Sequence, residues 1–161
     1  KVQLYFSKVA VMILMSVGLC LITFLLCVVG GLIAGGFPDL NAETLIDAGL
    51  LYLVSGLLIP IAMLPIVFLA TLSKGYILPI GATLLYLVPV VIAPAHFMGI
   101  HPLASVMGIY SHISEATAAM VEILMQGVLP DTSPFICAGS LLLIGVASAA
   151  ASVMALKKQS Y

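Results

Sequence analysis

Four uncharged stretches set the pattern of the chain: residues 9–37, 48–73, 75–95 and 132–156 contain no Asp, Glu, Lys or Arg. Crossing ~30 Å of hydrocarbon takes about 20 predominantly apolar residues, and each stretch is long enough. Backbone polar groups cannot go unpaired in lipid, so these runs are predicted to be helical. The alternating polarity of a membrane β-barrel is absent. The predicted fold is an all-α, polytopic membrane bundle. It forms one domain over residues 1–161, with spans at about 9–36, 48–73, 76–97 and 133–156.

The charges between the stretches give the bundle a direction. The lysines are Lys1, Lys8, Lys74, Lys157 and Lys158; the acids are Asp39, Glu43, Asp47, Glu115, Glu122 and Asp131. With four spans, every lysine falls on one side and every acid on the other, and a wrong span count would scramble that separation. The positive-inside rule makes the lysine side cytoplasmic. The expected location is the bacterial cytoplasmic membrane, with both termini inside.

Before the last span lies a long outer segment, about residues 103–129, that is not a plain loop. From Ile109 to Gln126 it has helical periodicity, with Ser111, His112, Glu115, Glu122 and Gln126 on one face. Ile109, Ile113, Ala116, Met120, Ile123 and Leu124 fall on the other, as expected of an amphipathic helix. Such a helix lies along the interface or tucks back against the bundle.

Composition agrees with the pattern. Of 161 residues, 63% are hydrophobic and 7% charged, too few charges to form the polar skin of a soluble domain. A net charge of −1 gives no sign of a nucleic-acid partner. Cys20, Cys27 and Cys137 lie in apolar runs without metal-ligand spacing and read as small packing residues.

Small residues and prolines mark places of close approach and of bending. Gly31 and Gly35 form a GxxxG pair, and Gly145 and Ala149 belong to a small-residue series in the last span. Both patterns predict tight helix–helix contacts in lipid. Pro60 and Pro65 in the second stretch, and Pro79, Pro89 and Pro94 in the third, each remove a backbone donor and can kink a helix.

Several chemistries are missing. No acid, Lys or Arg sits in the middle of any span, where the polar residues are few and mild: Ser16, Thr23, Ser55 and Thr83. Ion-coupled pumps need ionisable groups at depth, and no phosphate-binding GxxxxGK[ST] loop is present. The chain is therefore not expected to be an enzyme or to hold a cofactor; energy for uphill transport would come from another chain. His96, His101 and His112, with Glu115, could supply metal ligands in principle, but they read more simply as interfacial histidines with wet polar tips.

The run Leu69-Ala70-Thr71-Leu72-Ser73-Lys74-Gly75-Tyr76-Ile77-Leu78-Pro79-Ile80-Gly81 resembles the ABC-2 type permease subunits of ATP-binding-cassette transporters. It looks most like the branch associated with bacitracin and lantibiotic self-protection in Gram-positive bacteria. The opening Tyr5-Phe6-Ser7-Lys8 also resembles that family's entry to its third span. The resemblance implies that the chain covers spans three to six of a six-span permease, without the first two spans, the amphipathic elbow and the coupling helix. It implies two partners besides the bilayer: a separate ABC ATPase subunit and a second permease subunit, in a homo- or heterodimer. The cytoplasmic loop Ser73, Lys74 and Gly75 would then face the ATPase.

An exporter of antimicrobial peptides or other amphiphiles is the function this implies. The acids bear on it independently. Asp39, Glu43 and Asp47 are spaced four apart, and with Glu115 and Glu122 they would give the outer rim a negative field that attracts cations. The plainer alternative is that acids collect outside because lysines must lie inside. A stand-alone membrane immunity or scaffold protein, with no transport activity, is the competing reading of the whole chain.

Overall fold

The computed structural model describes residues 2–36, 41–73, 75–124 and 132–158. Among them the only regular elements are helices: α1 Val2–Ile33, α2 Ala42–Ala62, α3 Leu64–Leu72, α4 Ile77–Ile92, α5 Pro94–Phe97, α6 Pro102–Tyr110, α7 Glu115–Leu124 and α8 Pro134–Lys158. Among the described residues three stretches are long and apolar enough to cross a membrane: Val2–Ile33, Ala42–Leu72 and Pro134–Lys158.

Helix α1 is apolar on every side, with Leu14, Leu26 and Ile33 exposed, as a lipid-facing helix requires. It runs antiparallel to α2 and α3. Val17 meets Gly56, Phe24 meets Gly49, and the Phe24 and Tyr52 rings lie 5.6 Å apart. The closest approach is at Gly56, where a Cβ would sit 2.7 Å from Val17 Cα.

The end of α1 corrects one expectation. Gly35 and Gly36 have φ of +123° and +79°, and the Gly36 N–H donates to the Gly31 carbonyl at 3.0 Å. This is a glycine-terminated C-cap of the Schellman type. Gly35 lies beyond the helix, so Gly31 and Gly35 do not share a packing face, and no heavy atom outside the local chain lies within 4 Å of where a Gly35 Cβ would be.

Helices α2 and α3 are one span broken at Met63. Pro65 has no N–H to offer the Ile61 carbonyl. The next two donors, Ile66 and Val67, both turn to Met63 O, at 3.0 and 3.2 Å. The Ala62 carbonyl is thereby freed from the usual helix ladder.

The third expected span, 76–97, is also interrupted. Pro94 disfavours helical backbone at the preceding residue, and Ala93 adopts φ −147°, ψ 62°. Helix α4 therefore stops at Ile92 after 16 residues. At ~1.5 Å per residue it is shorter than the ~30 Å hydrocarbon layer; the short α5 continues the path.

The expected single amphipathic helix is two helices. Ser111 Oγ donates to Gly108 O at 2.9 Å, and Ser114 caps α7 instead of continuing α6, since Thr117 N–H donates to its hydroxyl at 3.3 Å. Such local side-chain bonds compete with helix continuation. Helix α6 is buried at Pro102, Ala104, Ser105, Val106 and Gly108, so it tucks into the bundle against α2 and α8.

Two apolar clusters hold these elements together. Ala62, Val106 and Leu141 join α2, α6 and α8; Met98, Val121 and Cys137 join the α5–α6 turn, α7 and α8. Gly108 lets α6 approach α8 closely, since a Cβ there would lie 2.6 Å from Cys137 Sγ. Gly145 plays the same part in α8, 3.0 Å by the same measure from Ile61 Cγ2; Ala149, one turn on, is half-buried.

Candidate functional site

Two helix N-termini define a groove at one end of the bundle. Asn41 caps α2: its side-chain oxygen accepts from the Thr44 N–H at 2.7 Å, and the Asn41 N–H donates back to Thr44 Oγ1 at 3.2 Å. Ser114 and Thr117 cap α7 in the same reciprocal way. Thr117 Oγ1 also donates to the Tyr110 carbonyl at 2.6 Å, which ties the start of α7 to the end of α6.

These caps set the positions of three carboxylates. Glu43 and Asp47 lie one turn apart on the same face of α2, and Glu115 opens α7. All three line one groove of about 610 Å³. Its polar lining is completed by Thr44, Ser114 and Thr117, and its apolar lining by Ala48, Leu51 and Met120. Glu43 and Glu115 lie in the first turns of α2 and α7, at the positive ends of those helix macrodipoles, and Asp47 lies one turn further along α2. A negatively charged rim over an apolar floor suits a ligand with a cationic head and an apolar body.

Glu122 is exposed and does not line the groove, because it lies two turns beyond Glu115. Asp39 lies outside the described residues, as does Asp131.

At the opposite end, Lys8 stands near Val67, Ala70, Thr71 and Leu156, and Lys157 and Lys158 close α8. The turn into α4 is held locally: Ser73 Oγ accepts from the Gly75 N–H at 3.1 Å and donates to Gly75 O at 2.7 Å. Lys74, between them, lies outside the described residues. The described acids and lysines thus occupy opposite ends of the bundle.

Between the ends lies a polar cluster that pattern reading did not single out. The Tyr86 hydroxyl donates to the Ala62 carbonyl at 2.5 Å, filling the gap left by the break at Met63. The Tyr86 ring packs on His101, centroids 4.2 Å apart. His101 caps α6, its Nδ1 accepting from the Leu103 N–H at 3.3 Å, so Nε2 carries the proton of the neutral ring. Among the described residues, neither that buried Nε2, near the Tyr86 backbone, nor the buried Tyr110 hydroxyl, near Ser55, has a partner in good hydrogen-bonding geometry. His101 therefore has no wet tip, and burial lowers its pKa. The only sequence signal for the cluster was a His-Pro pair at a helix start.

Among the described residues no three His, Cys, Asp or Glu side chains converge on a metal position. His96, His101, His112 and Glu115 are not brought together. Three of the mild polar groups inside the helices are satisfied within their own turns: Thr23 donates to Leu19 O, Ser55 to Leu51 O and Thr83 to Pro79 O.

A family model described as ABC-2 family transporter protein matches residues 1–90, more than half of the 161. The match takes in α1 to α3, most of α4 and the α2 wall of the acidic groove; the α7 wall lies beyond it. No curated protein and no solved structure matches the chain.

Proposed function

The chain belongs to the ABC-2 transporter family, and from that premise we propose that it is the permease subunit of an ATP-driven exporter whose substrates are cationic amphiphiles. It is a multi-pass membrane protein and a permease component of an ABC transporter. The finer reading rests on one observation: Glu43, Asp47 and Glu115 gather around a groove that also presents Leu51 and Met120. Carboxylates recognise the cationic part of a ligand, and the apolar floor shields the rest from water.

In this reading ATP hydrolysis belongs to a separate subunit. The Ser73–Gly75 turn, at the lysine end, faces that subunit, and a second permease subunit completes the path. Membrane-active antimicrobial peptides fit the groove chemistry, since they combine lysine-rich and apolar faces. The acidic end then faces outward, by the positive-inside rule.

Purification from native membranes in mild detergent, followed by mass spectrometry, tests the division of labour. A stoichiometric nucleotide-binding subunit that is lost when Ser73 and Gly75 are altered is the expected result. A chain that purifies alone, where such ATPases are present, contradicts it and favours the stand-alone immunity or scaffold reading.

A further inference from the structure

We infer that the groove between α1, α3 and α8 at the lysine end binds the headgroup and upper acyl chain of an anionic phospholipid. The groove encloses about 310 Å³. Leu4, Tyr5 and Lys8 line it from one face of α1, and Val67, Ala70 and Thr71 from one face of α3. Leu156, just before the two lysines that end α8, closes it.

The chemistry of the walls selects the ligand. Tyr5 is 4% exposed, and its buried hydroxyl has no hydrogen-bond partner among the described residues. A buried donor without an acceptor is unfavourable, and an acceptor that reaches it is correspondingly favoured. Thr71 Oγ1 donates to Phe68 O at 2.7 Å and makes no hydrogen bond with the Tyr5 hydroxyl. Its oxygen can still accept. Lys8 adds a positive charge one turn from Tyr5 on α1.

No described acid lies at this end; Glu43, Asp47, Glu115 and Glu122 are all at the other. Among the described residues Lys8 therefore meets no anion here, and an acceptor that serves both Tyr5 and Lys8 is best supplied by an anion from outside the chain. A phosphate diester is such an anion. Leu4, Val67 and Leu156 offer an apolar channel that a free phosphate would leave unused but an acyl chain fills. Basic pockets between membrane helices bind lipid headgroups by this combination. The inference needs only the membrane setting and stands apart from the transport reading of the acidic groove.

Native mass spectrometry of the full chain in mild detergent tests it, with phosphatidylglycerol, phosphatidylcholine and inorganic phosphate as probes. The wild-type chain is expected to retain phosphatidylglycerol over phosphatidylcholine by about tenfold, the scale of one charge-assisted hydrogen bond. Lys8→Gln should abolish the preference, and Tyr5→Phe, which removes only the hydroxyl, should reduce it several-fold. Lys158→Gln, outside the groove lining, should change it by less than about twofold.

Equal retention of the two lipids by the wild-type chain overturns the inference. So does an equal loss in Lys8→Gln and Lys158→Gln, which marks diffuse charge attraction, and so does displacement by inorganic phosphate, which marks a free-anion site. If Lys8→Gln does not fold, Tyr5→Phe decides: an unchanged lipid preference overturns the assignment.

Discussion

The Tyr86 hydroxyl donates to the Ala62 carbonyl at 2.5 Å, across 24 residues of chain, and so caps from α4 the break between α2 and α3. Pro65 opens that break and Tyr86 closes its polar gap. The bond lies in an apolar interior, where an unsatisfied carbonyl has no water to turn to.

Tyr86→Phe should therefore lower stability in detergent by about 1–2 kcal/mol, the range for orphaning one buried acceptor. Tyr76→Phe, at a side chain 86% exposed, should leave it unchanged. Thermal unfolding of both variants checks this; equal behaviour would show that the Ala62 carbonyl is satisfied some other way.

The closest helix contact makes a second prediction. Gly56→Ala places a Cβ 2.7 Å from Val17 Cα, which is backbone and cannot rotate away, so α1 and α2 must separate. A loss of about 1–3 kcal/mol is expected, as for overpacked cores. Gly18→Ala meets nothing within 4 Å. It should be neutral or gain up to about 1 kcal/mol from helix propensity. The pair is read from unfolding midpoints measured side by side.

His101 makes stability depend on pH. Burial lowers its pKa below the ordinary 6.5, only partly offset by the backbone at Tyr86. The unfolded chain then binds more protons than the folded one as pH falls below about 6.5. The stability held by the neutral ring is present above that value and is lost as pH drops towards the folded pKa. Protonation of Nδ1 also removes the acceptor that caps α6. His101→Asn, which can still cap a helix, should flatten the decline between pH 7.5 and about 5.5; a slope equal to wild type would assign the effect to another group.

Much of this was legible in the amino-acid order, for physical reasons that differ from element to element. The long apolar runs of α1 and α8 and the separation of Glu43 and Asp47 from Lys157 and Lys158 follow from transfer free energy alone, which needs no tertiary information. The acids at the groove could be named because charges are so few. That Glu43, Asp47 and Glu115 share one cavity while Glu122 does not depends on the caps at Asn41 and Ser114 and on the break at Ser111–Ser114. Periodicity passed over that break because apolar positions continue in phase on either side of it.

Glycine was read through spacing, and spacing misled at Gly35, where left-handed backbone ends α1. The contacts at Gly56 and Gly108 escaped because each depends on which partner helix is opposite, and no single-helix motif encodes that. The Tyr86–Ala62–His101 cluster was hidden for the same reason: it joins α2, α4 and the start of α6, and the His-Pro pair at His101 does not say which helices meet there.

The central claim is that the groove between α2 and α7 takes cationic amphiphiles. Binding of a fluorescent lysine-rich amphipathic peptide to the purified chain in detergent, followed by anisotropy, tests it most directly. The comparison is between the wild-type chain and Glu43→Gln/Asp47→Asn/Glu115→Gln, with Glu122→Gln as the control. The account predicts that the triple variant binds at least about tenfold more weakly, since several charge-assisted contacts are lost together. Glu122→Gln should bind within about twofold of wild type, as a solvated charge is largely screened. Equal peptide binding by the wild-type chain and a well-folded triple variant would contradict the claim.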